Sequence, residues 1–225
     1  MLSPNTLHFL TDLSQNNNRD WFQENRKRYD AAKADFTKLT ENVLTEVSTF
    51  EELGNTQPKD CVFRINRDVR FAKDKRPYKN NLSMAIGPGG RHSGRIDYYL
   101  QIQPGDQSFL GAGMWSPTTE QLAKYRQEVD YNAAELKKII ENETFRNYFP
   151  EIHGATLKTT PKGFSKEHPE IELLRRKELF FSHRFKDKEV LSKEFIPEIL
   201  HAIHLIKPYC DFLNYIFHDE KEGDH

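Results

Sequence analysis

Apolar residues recur at intervals of seven along the first third of the chain, from Phe22 to Phe50, with further apolar residues between them. This spacing places them on one face of a helix. Asn18 and Asp20 both precede the repeat, with Asp20 in the first turn of the expected helix. This is typical of a helix N-terminus, because an amide oxygen can cap backbone N–H groups and a carboxylate suits the helix dipole. The pattern therefore predicts one long helix that begins after Asn18 and lies across a core.

The middle third of the chain alternates apolar and polar residues with a period of two, as antiparallel strands do. The strands are expected at residues 61–66, 82–86, 96–103 and 109–115. Mainly helical patterns follow, and two of these helices are expected to meet near Pro208, since proline disturbs a helix interior. We therefore predict an α+β fold in which an antiparallel sheet packs against long helices, as a single domain over residues 1–217 with a polar tail at 218–225.

Charge and composition restrict the class of protein. The chain has 33 Lys and Arg against 34 Asp and Glu, so it lacks the strongly basic balance of a protein that binds nucleic acid through bulk charge. Cys61 and Cys210 are far apart and form no metal-ligand or disulfide pattern, which suits a reducing cytosol. The sequence shows neither a signal-peptide pattern nor an apolar run of membrane-spanning length. We therefore expect a cytoplasmic protein with no membrane partner.

Residues 63–81 depart from this balance, with four arginines and three lysines against two aspartates. Arginine forks and lysine ammonium groups bind carboxylate and phosphate through charge-assisted hydrogen bonds. This stretch, called the basic segment below, therefore predicts a place where an anion is held. The sequence identifies neither the anion nor a reaction nor an oligomeric state, and it leaves open whether the protein is an enzyme.

Two further features border such a site in the sequence-based hypothesis. Tyr99 and Trp115 share a strand face with Gly111 and Gly113, whose missing side chains would leave a shallow concavity with aromatic walls. The alternative is that these glycines let another element pack closely. Asn25 falls within the apolar stripe of the long helix, so its amide either holds a neighbouring loop or faces a cavity beside the basic segment.

Three hypotheses account for the basic segment. In the first, a small anionic ligand bearing phosphate or carboxylate binds in a groove lined by cations and aromatic rings. The predicted ligand-binding residues are Arg64, Arg67, Arg70, Lys73, Lys75, Tyr78, Lys79, Asn25, Tyr99 and Trp115. In the second, the cations contact nucleic-acid phosphates while Phe71, Tyr78 and Trp115 stack on bases, although the near-neutral overall charge counts against this. In the third, the cations form an ion-pair lattice with Asp68 and Asp74 and have a purely structural role.

Other chemistry has little support in the sequence. The Gly-Ala-Gly run at 111–113 lacks the third glycine of a dinucleotide fingerprint, and no glycine run is followed by the Lys-Ser/Thr of a phosphate-binding loop. His201 and His204 have helical spacing but lie off the apolar face of their helix, so we expect no metal site. Cys61 is expected to point into the core together with Phe63. We therefore predict no cofactor, and we name no catalytic residue.

Several long motifs resemble those of an uncharacterised family. They are the Leu-Ser-Gln-Asn-Asn-Asn-Arg-Asp-Trp-Phe run from residue 13, Arg-Asp-x-Arg-Phe-x-x-Asp-Lys-x-Pro-Tyr-Lys at 67–79, the tyrosine pair at 98–99, Gly-Met-Trp at 113–115 and Pro-Lys-Gly-Phe at 161–164. Together these motifs extend over nearly the whole chain and look like the family catalogued as domain of unknown function 2461. The resemblance implies a single domain and supplies no activity.

Overall fold

The computed structural model describes residues 1–218, so the predicted polar tail lies, except for His218, outside the described residues. The helices are α1 (Pro4–Gln15), α2 (Arg19–Glu24), α3 (Arg26–Val47), α4 (Pro58–Cys61), α5 (Thr119–Ile140), α6 (Glu143–Tyr148), α7 (Ile171–Leu174), α8 (Asp187–Val190) and α9 (Phe195–His218). The strands are β1 (Leu82–Ile86), β2 (Tyr98–Ile102), β3 (Ser108–Met114), β4 (Glu151–His153) and β5 (Leu179–Phe185).

The strands form one five-stranded antiparallel sheet in the order β1-β2-β3-β5-β4. Met84 of β1 lies opposite Leu100 of β2, and both side chains are fully buried. At the other edge, Glu151 of β4 lies opposite Ser182 of β5. The predicted α+β fold is therefore confirmed. Across residues 1–218, no helix combines the length and the apolar composition that a bilayer-spanning segment requires.

The contacts within the chain define two compact units, which we describe separately. Unit 1 contains residues 1–94, 98–110 and 184–201, and unit 2 contains residues 95–97, 111–183 and the chain from Ala202 onward. The expectation of a single domain over residues 1–217 stays a prediction.

The predicted long helix of unit 1 is divided at Asn25, which corrects the sequence-based expectation. Asn18 caps α2 as predicted, since its amide oxygen accepts a hydrogen bond from the Trp21 N–H at 2.9 Å. Asn25 leaves helical geometry, with φ −100° and ψ 16°, while its amide nitrogen donates to the Trp21 carbonyl at 2.9 Å. Side-chain bonds of this kind compete with the helical backbone pattern, so the chain restarts as α3.

The apolar stripe of unit 1 is buried as predicted. Phe22, Phe36 and Val43 are each at most 3% exposed, and α1 packs against α3. Phe9 of α1 contacts Phe22 with a ring separation of 6.4 Å. Burying side chains of this size contributes about 1.5–3 kcal/mol each, so the stripe holds α1 and α3 together.

The first predicted strand, at residues 61–66, is not a regular strand. Pro58 begins a helical turn that ends at Cys61, and Asp60 stabilises it by accepting a hydrogen bond from the Gln57 N–H at 3.0 Å. Beyond this turn the chain is extended but pairs only at isolated bridges, Val62 with Met84 and Asn66 with Tyr78. The capping interaction therefore draws the start of the predicted strand into a helix.

α9 continues through Pro208, in the part of the helix that belongs to unit 2, although two helices were expected to meet there. Proline removes one helical hydrogen bond. However, Ile206, Tyr209 and Leu213, on both sides of Pro208, are fully buried. This packing holds the helix together across the lost bond. The Tyr209 hydroxyl donates to the Leu179 carbonyl at 2.7 Å, which ties α9 to β5.

Candidate functional site

The two aspartates of the basic segment neutralise three of its arginines. Asp74 accepts hydrogen bonds from Arg67 at 2.8 Å and from Arg76 at 2.7 Å. Asp68 accepts from Arg70 at 2.7 Å. Hydrogen bonds from Arg76, followed by those from Arg67, hold the pKa of Asp74 well below its usual range. Both carboxylates therefore stay ionised at neutral pH, and these arginines already have anionic partners.

Lys75 is also engaged within the segment. Its ammonium group donates to the carbonyl oxygens of Val69 at 3.0 Å and Arg70 at 3.4 Å. The Asn66–Tyr78 bridge joins the two ends of this loop. The charged side chains within the loop bond to one another and to its own carbonyl oxygens. This arrangement matches the ion-pair lattice of the third hypothesis for these residues.

Tyr78 anchors the end of the segment to the helices of unit 1. Its backbone carbonyl accepts from the Asn17 amide at 3.0 Å, and its N–H donates to the Asn17 amide oxygen at 3.1 Å. The Tyr78 ring stacks on Phe22 with centroids 4.0 Å apart, and the residue is only 8% exposed. The structure therefore gives Tyr78 a place in the core rather than on the wall of a groove.

Arg64, Lys73 and Lys79 differ from Arg67, Arg70 and Arg76, because no carboxylate within residues 1–218 forms an ion pair with them. Lys73 is exposed on the loop. The ammonium group of Lys79 is half-buried and lies 5.4 Å from the centroid of the Phe63 ring. Burial, with a further contribution from the neighbouring Arg64 charge, lowers the pKa of Lys79.

Aromatic rings continue from Lys79 across the sheet. Phe63 meets Tyr99 edge to face with centroids 5.9 Å apart, and Tyr99 contacts Phe109 at 5.6 Å. All three rings are partly exposed. We call the surface formed by Arg64, Lys79, Phe63, Tyr99 and Phe109 the cation–aromatic face.

Polar groups of β1 and β2 lie alongside these rings. The Tyr99 hydroxyl donates to the Gln101 amide oxygen at 3.1 Å. Ser83 lies opposite Gln101 and is 1% exposed. Within the described residues, the Ser83 hydroxyl and the Asn81 amide oxygen are buried without a hydrogen-bond partner. Such groups are rare, because an unpaired buried polar group costs about 1–3 kcal/mol.

The Tyr99 hydroxyl is neutral at physiological pH. Burial raises its pKa above the ordinary tyrosine value. The Tyr99 and Ser83 hydroxyls do not meet the geometry of a hydrogen bond, since Ser83 has no partner in the described residues. Ser83 therefore retains a donor and Tyr99 retains acceptor lone pairs on this face.

Asn25 lies at the junction of α2 and α3 rather than on this face. Its amide nitrogen is bonded to the Trp21 carbonyl, and its amide oxygen accepts from Arg28 at 3.1 Å. Both halves of the amide are used locally, which matches the alternative that Asn25 holds neighbouring structure. Its predicted ligand contact stays a prediction.

Trp115 belongs to unit 2, where it is 59% exposed and contacts Phe180 edge to face at 5.8 Å. The concavity expected over the two glycines is filled. A side chain at position 111 would lie 2.4 Å from the Phe181 carbonyl, and one at position 113 would lie 2.9 Å from the Tyr209 ring. These glycines therefore allow close packing of a neighbouring strand and helix.

A concavity of about 610 Å³ lies between the loop of the basic segment and the start of α2. Its lining includes Asn17, Asp20, Val69, Lys75 and Arg76. Both cations that the loop contributes are already bonded, Lys75 to carbonyls and Arg76 to Asp74. We therefore place the candidate site on the cation–aromatic face instead.

The sequence pattern misassigned Phe63 and did not single out Ser83. Phe63 was expected in the core beside Cys61, and Cys61 is fully buried, but the Phe63 ring is partly exposed beneath Lys79. Ser83 alternates with apolar residues as any solvent-facing strand residue does, so the sequence carried no signal of its burial. In the part of the chain that the structure describes, no group of three His, Cys, Asp or Glu side chains is arranged to hold a metal ion.

Comparison with known proteins adds a family. A family model described as "Conserved hypothetical protein (DUF2461)" matches residues 5–212. No curated protein and no solved structure matches the chain.

Proposed function

The chain belongs to the DUF2461 family, and we propose that it binds a small ligand combining an anionic group with a flat apolar part on the cation–aromatic face. The supporting observation is the pair of cations, Arg64 and Lys79. The Arg64 charge contributes to lowering the pKa of Lys79. Within residues 1–218 neither residue forms an ion pair with a carboxylate, and the Arg64 charge also contributes to lowering the pKa of Asp68. Two like charges held together repel each other, and a bound phosphate or carboxylate would relieve that repulsion.

The rings beside the cations suit the apolar part of such a ligand. Phe63, Tyr99 and Phe109 form a connected row with ring centroids 5.6–5.9 Å apart. Ligand sites commonly combine apolar and aromatic walls with a few polar groups that fix orientation. Here Ser83 offers a buried hydroxyl that lacks a partner among residues 1–218.

The nucleic-acid hypothesis has less support. Phe71 is 95% exposed and is available for stacking, but Tyr78, which that hypothesis also used, is stacked on Phe22 in the core. Arg67 and Arg70 are paired with aspartates of their own segment, so they are less available to neutralise phosphates.

Phenyl phosphate tests the proposal, since it joins an anion to an aromatic ring. We expect calorimetric titration to detect binding to the wild type. Lys79→Met keeps the length and apolar contacts of the side chain but removes its charge, and Arg64→Ala removes the second charge. Loss of one charge-assisted hydrogen bond costs about 1.5–3 kcal/mol, so we expect each variant to bind roughly 10–150 times more weakly.

Arg70→Ala is the matched control. It removes an exposed arginine from the same segment, but one that is already bonded to Asp68. We expect this variant to bind phenyl phosphate as the wild type does. Equal weakening by Arg70→Ala and Lys79→Met would assign the effect to general charge and contradict the proposed site, as would the absence of any binding to the wild type.

A further inference from the structure

We propose that unit 2 carries a second binding site, on the aromatic surface around Trp115, and that this site takes an organic cation bearing a trimethylammonium group. The residues of the cation–aromatic face all belong to unit 1, so this inference does not depend on the function proposed above. It concerns the tryptophan of the Gly-Met-Trp motif at 113–115, which the first site does not use.

Three rings form the walls of the second site. Trp115 meets Phe180 edge to face, with centroids 5.8 Å apart and ring planes at 73°. The His153 ring lies 6.1 Å from the same Phe180 ring, with planes at 58°. Trp115 is 59% exposed, and the other two residues are partly exposed. The rings therefore form an angled surface that a ligand can reach, which we call the aromatic corner.

The backbone holds the aromatic corner in place. A side chain at position 111 would lie 2.6 Å from the Phe180 ring, so this ring packs directly on the Gly111 backbone. His153 lies opposite Phe180 in the pairing of β4 with β5, and its ring nitrogen Nε2 is 2.8 Å from the Ser182 hydroxyl. Walls fixed in this way lose little conformational freedom when a ligand binds.

Two carboxylates border the aromatic corner. One oxygen of Glu178 accepts a hydrogen bond at 3.1 Å from the N–H of Ser116, the residue after the tryptophan. The other oxygen accepts from the Ala155 N–H at 3.0 Å. These hydrogen bonds, that from Ala155 most of all, lower the pKa of Glu178. The Glu151 carboxylate lies 3.4 Å from the His153 nitrogen Nε2, and both carboxylates are partly exposed.

These features together favour a quaternary ammonium ligand. Aromatic faces attract cations, tryptophan most strongly, and quaternary ammonium groups are recognised in this way. Such a group has no N–H to donate, so it needs ring faces and negative charge but no free acceptor. This suits Glu178, whose two oxygens already accept backbone hydrogen bonds. Lys177 opposes a cation only weakly, because its charge is the smallest cause of the lowered Glu178 pKa.

Choline and 3,3-dimethylbutan-1-ol test the inference, since the second compound replaces the ammonium nitrogen of the first by carbon and is uncharged. Each is titrated with the full chain at about pH 8, where an ordinary imidazole is neutral, and the proton NMR signal of its three methyl groups is followed. We expect the choline signal to shift and broaden with wild-type protein, because ring currents act on methyl groups held against aromatic faces. The signal of the uncharged compound should stay unchanged.

Variants locate the binding. Trp115→Leu and Phe180→Leu each remove a ring face and should weaken choline binding about 2–30 times. Glu151→Gln removes a charge with little change in shape and should also weaken it. Tyr131→Leu is the matched control, since Tyr131 is an aromatic residue of α5 in unit 2 that is 89% exposed, and it should bind choline as the wild type does.

A peptide containing trimethyllysine, titrated in the same way, distinguishes two sources of the same chemical group. Tighter binding of the peptide than of choline would assign the site to a protein tail, and weaker binding would assign it to a free metabolite. Both results support the inference. Equal responses to choline and 3,3-dimethylbutan-1-ol, no response to choline, or choline binding that Trp115→Leu leaves unchanged would each overturn it. Binding of phenyl phosphate and its loss in Arg64→Ala report on the first site separately.

Discussion

Replacing Asn17 by alanine tests whether the basic segment is anchored through the backbone of Tyr78. The Asn17 side chain makes two hydrogen bonds to that backbone, one to its carbonyl at 3.0 Å and one from its N–H at 3.1 Å. Asn17→Ala removes both bonds without touching the basic segment itself. Lys79 is the next residue along the chain, so the same anchor positions the candidate site.

The size of the effect follows from the two lost bonds. Neutral hydrogen bonds contribute about 0.5–1.5 kcal/mol each, so Asn17→Ala should lower the free energy of unfolding by about 1–3 kcal/mol. In urea denaturation, with a slope of about 2 kcal/mol per M, this loss corresponds to a midpoint lower by roughly 0.5–1.5 M. The Tyr78 amide should also exchange its hydrogen roughly 5–150 times faster, since each 1.4 kcal/mol corresponds to about tenfold.

Urea titration and hydrogen exchange measured by NMR check these values. Asn16→Ala is the matched control, because the Asn16 side chain makes one exposed hydrogen bond to the Asp12 carbonyl at 3.0 Å. Its effect should stay within about 0.5 kcal/mol. If Asn17→Ala left the midpoint and the exchange of the Tyr78 amide at wild-type values, the anchor would not hold the segment and this reasoning would be refuted.

Two other changes test the ion-pair lattice and the core of unit 2. Asp74→Ala should speed hydrogen exchange throughout residues 67–77 more than Asp68→Ala does, because Asp74 joins two arginines and Asp68 joins one; equal effects would contradict this. Since the pKa of Asp74 is depressed in the folded state, its contribution to the free energy of unfolding is complete above the unfolded-state pKa. This contribution is lost only as the pH falls through the lowered value, and the NMR shift of the Asp74 carboxyl group should follow that titration. Tyr209→Phe leaves the Leu179 carbonyl without its 2.7 Å bond and should cost about 1–3 kcal/mol, a value that an unchanged urea midpoint would disprove.

The fold was predictable where periodicity extends over several residues. The alternation at β2 and the apolar stripe from Phe22 are long enough for the buried face to be identified. β4 has only three residues, which is too short for any pattern. The break at Asn25 depends on a hydrogen bond from its side chain to the Trp21 carbonyl of α2. The spacing of residues in the sequence does not show whether such an amide points into the core or bonds to the backbone of the preceding turn.

The site was only partly predictable, because its residues come together through strand pairing. Lys79 and Tyr99 were both proposed from sequence, one from charge and one from its strand face. The Phe63 ring connects them in the structure. Its position depends on the isolated bridges that replace the expected strand. Ser83 belongs to the neighbourhood of the site only because β1 pairs with β2 in a register that puts it opposite Gln101.

A local motif explains why the count of charged residues overestimated the number of cations that the basic segment can offer to an anion. The pattern Asp-x-Arg occurs twice, at 68–70 and 74–76. In both copies the carboxylate accepts hydrogen bonds from the backbone N–H and the guanidinium of the arginine two positions later. An aspartate at this spacing can bond the backbone two residues on, so it also neutralises the side chain carried there. Arg64 and Lys79 have no aspartate two positions before them, and they lie where the chain enters and leaves the loop. The cations that have no such local aspartate, rather than the total number of cations, therefore indicate the surface with which an anionic ligand would have to interact.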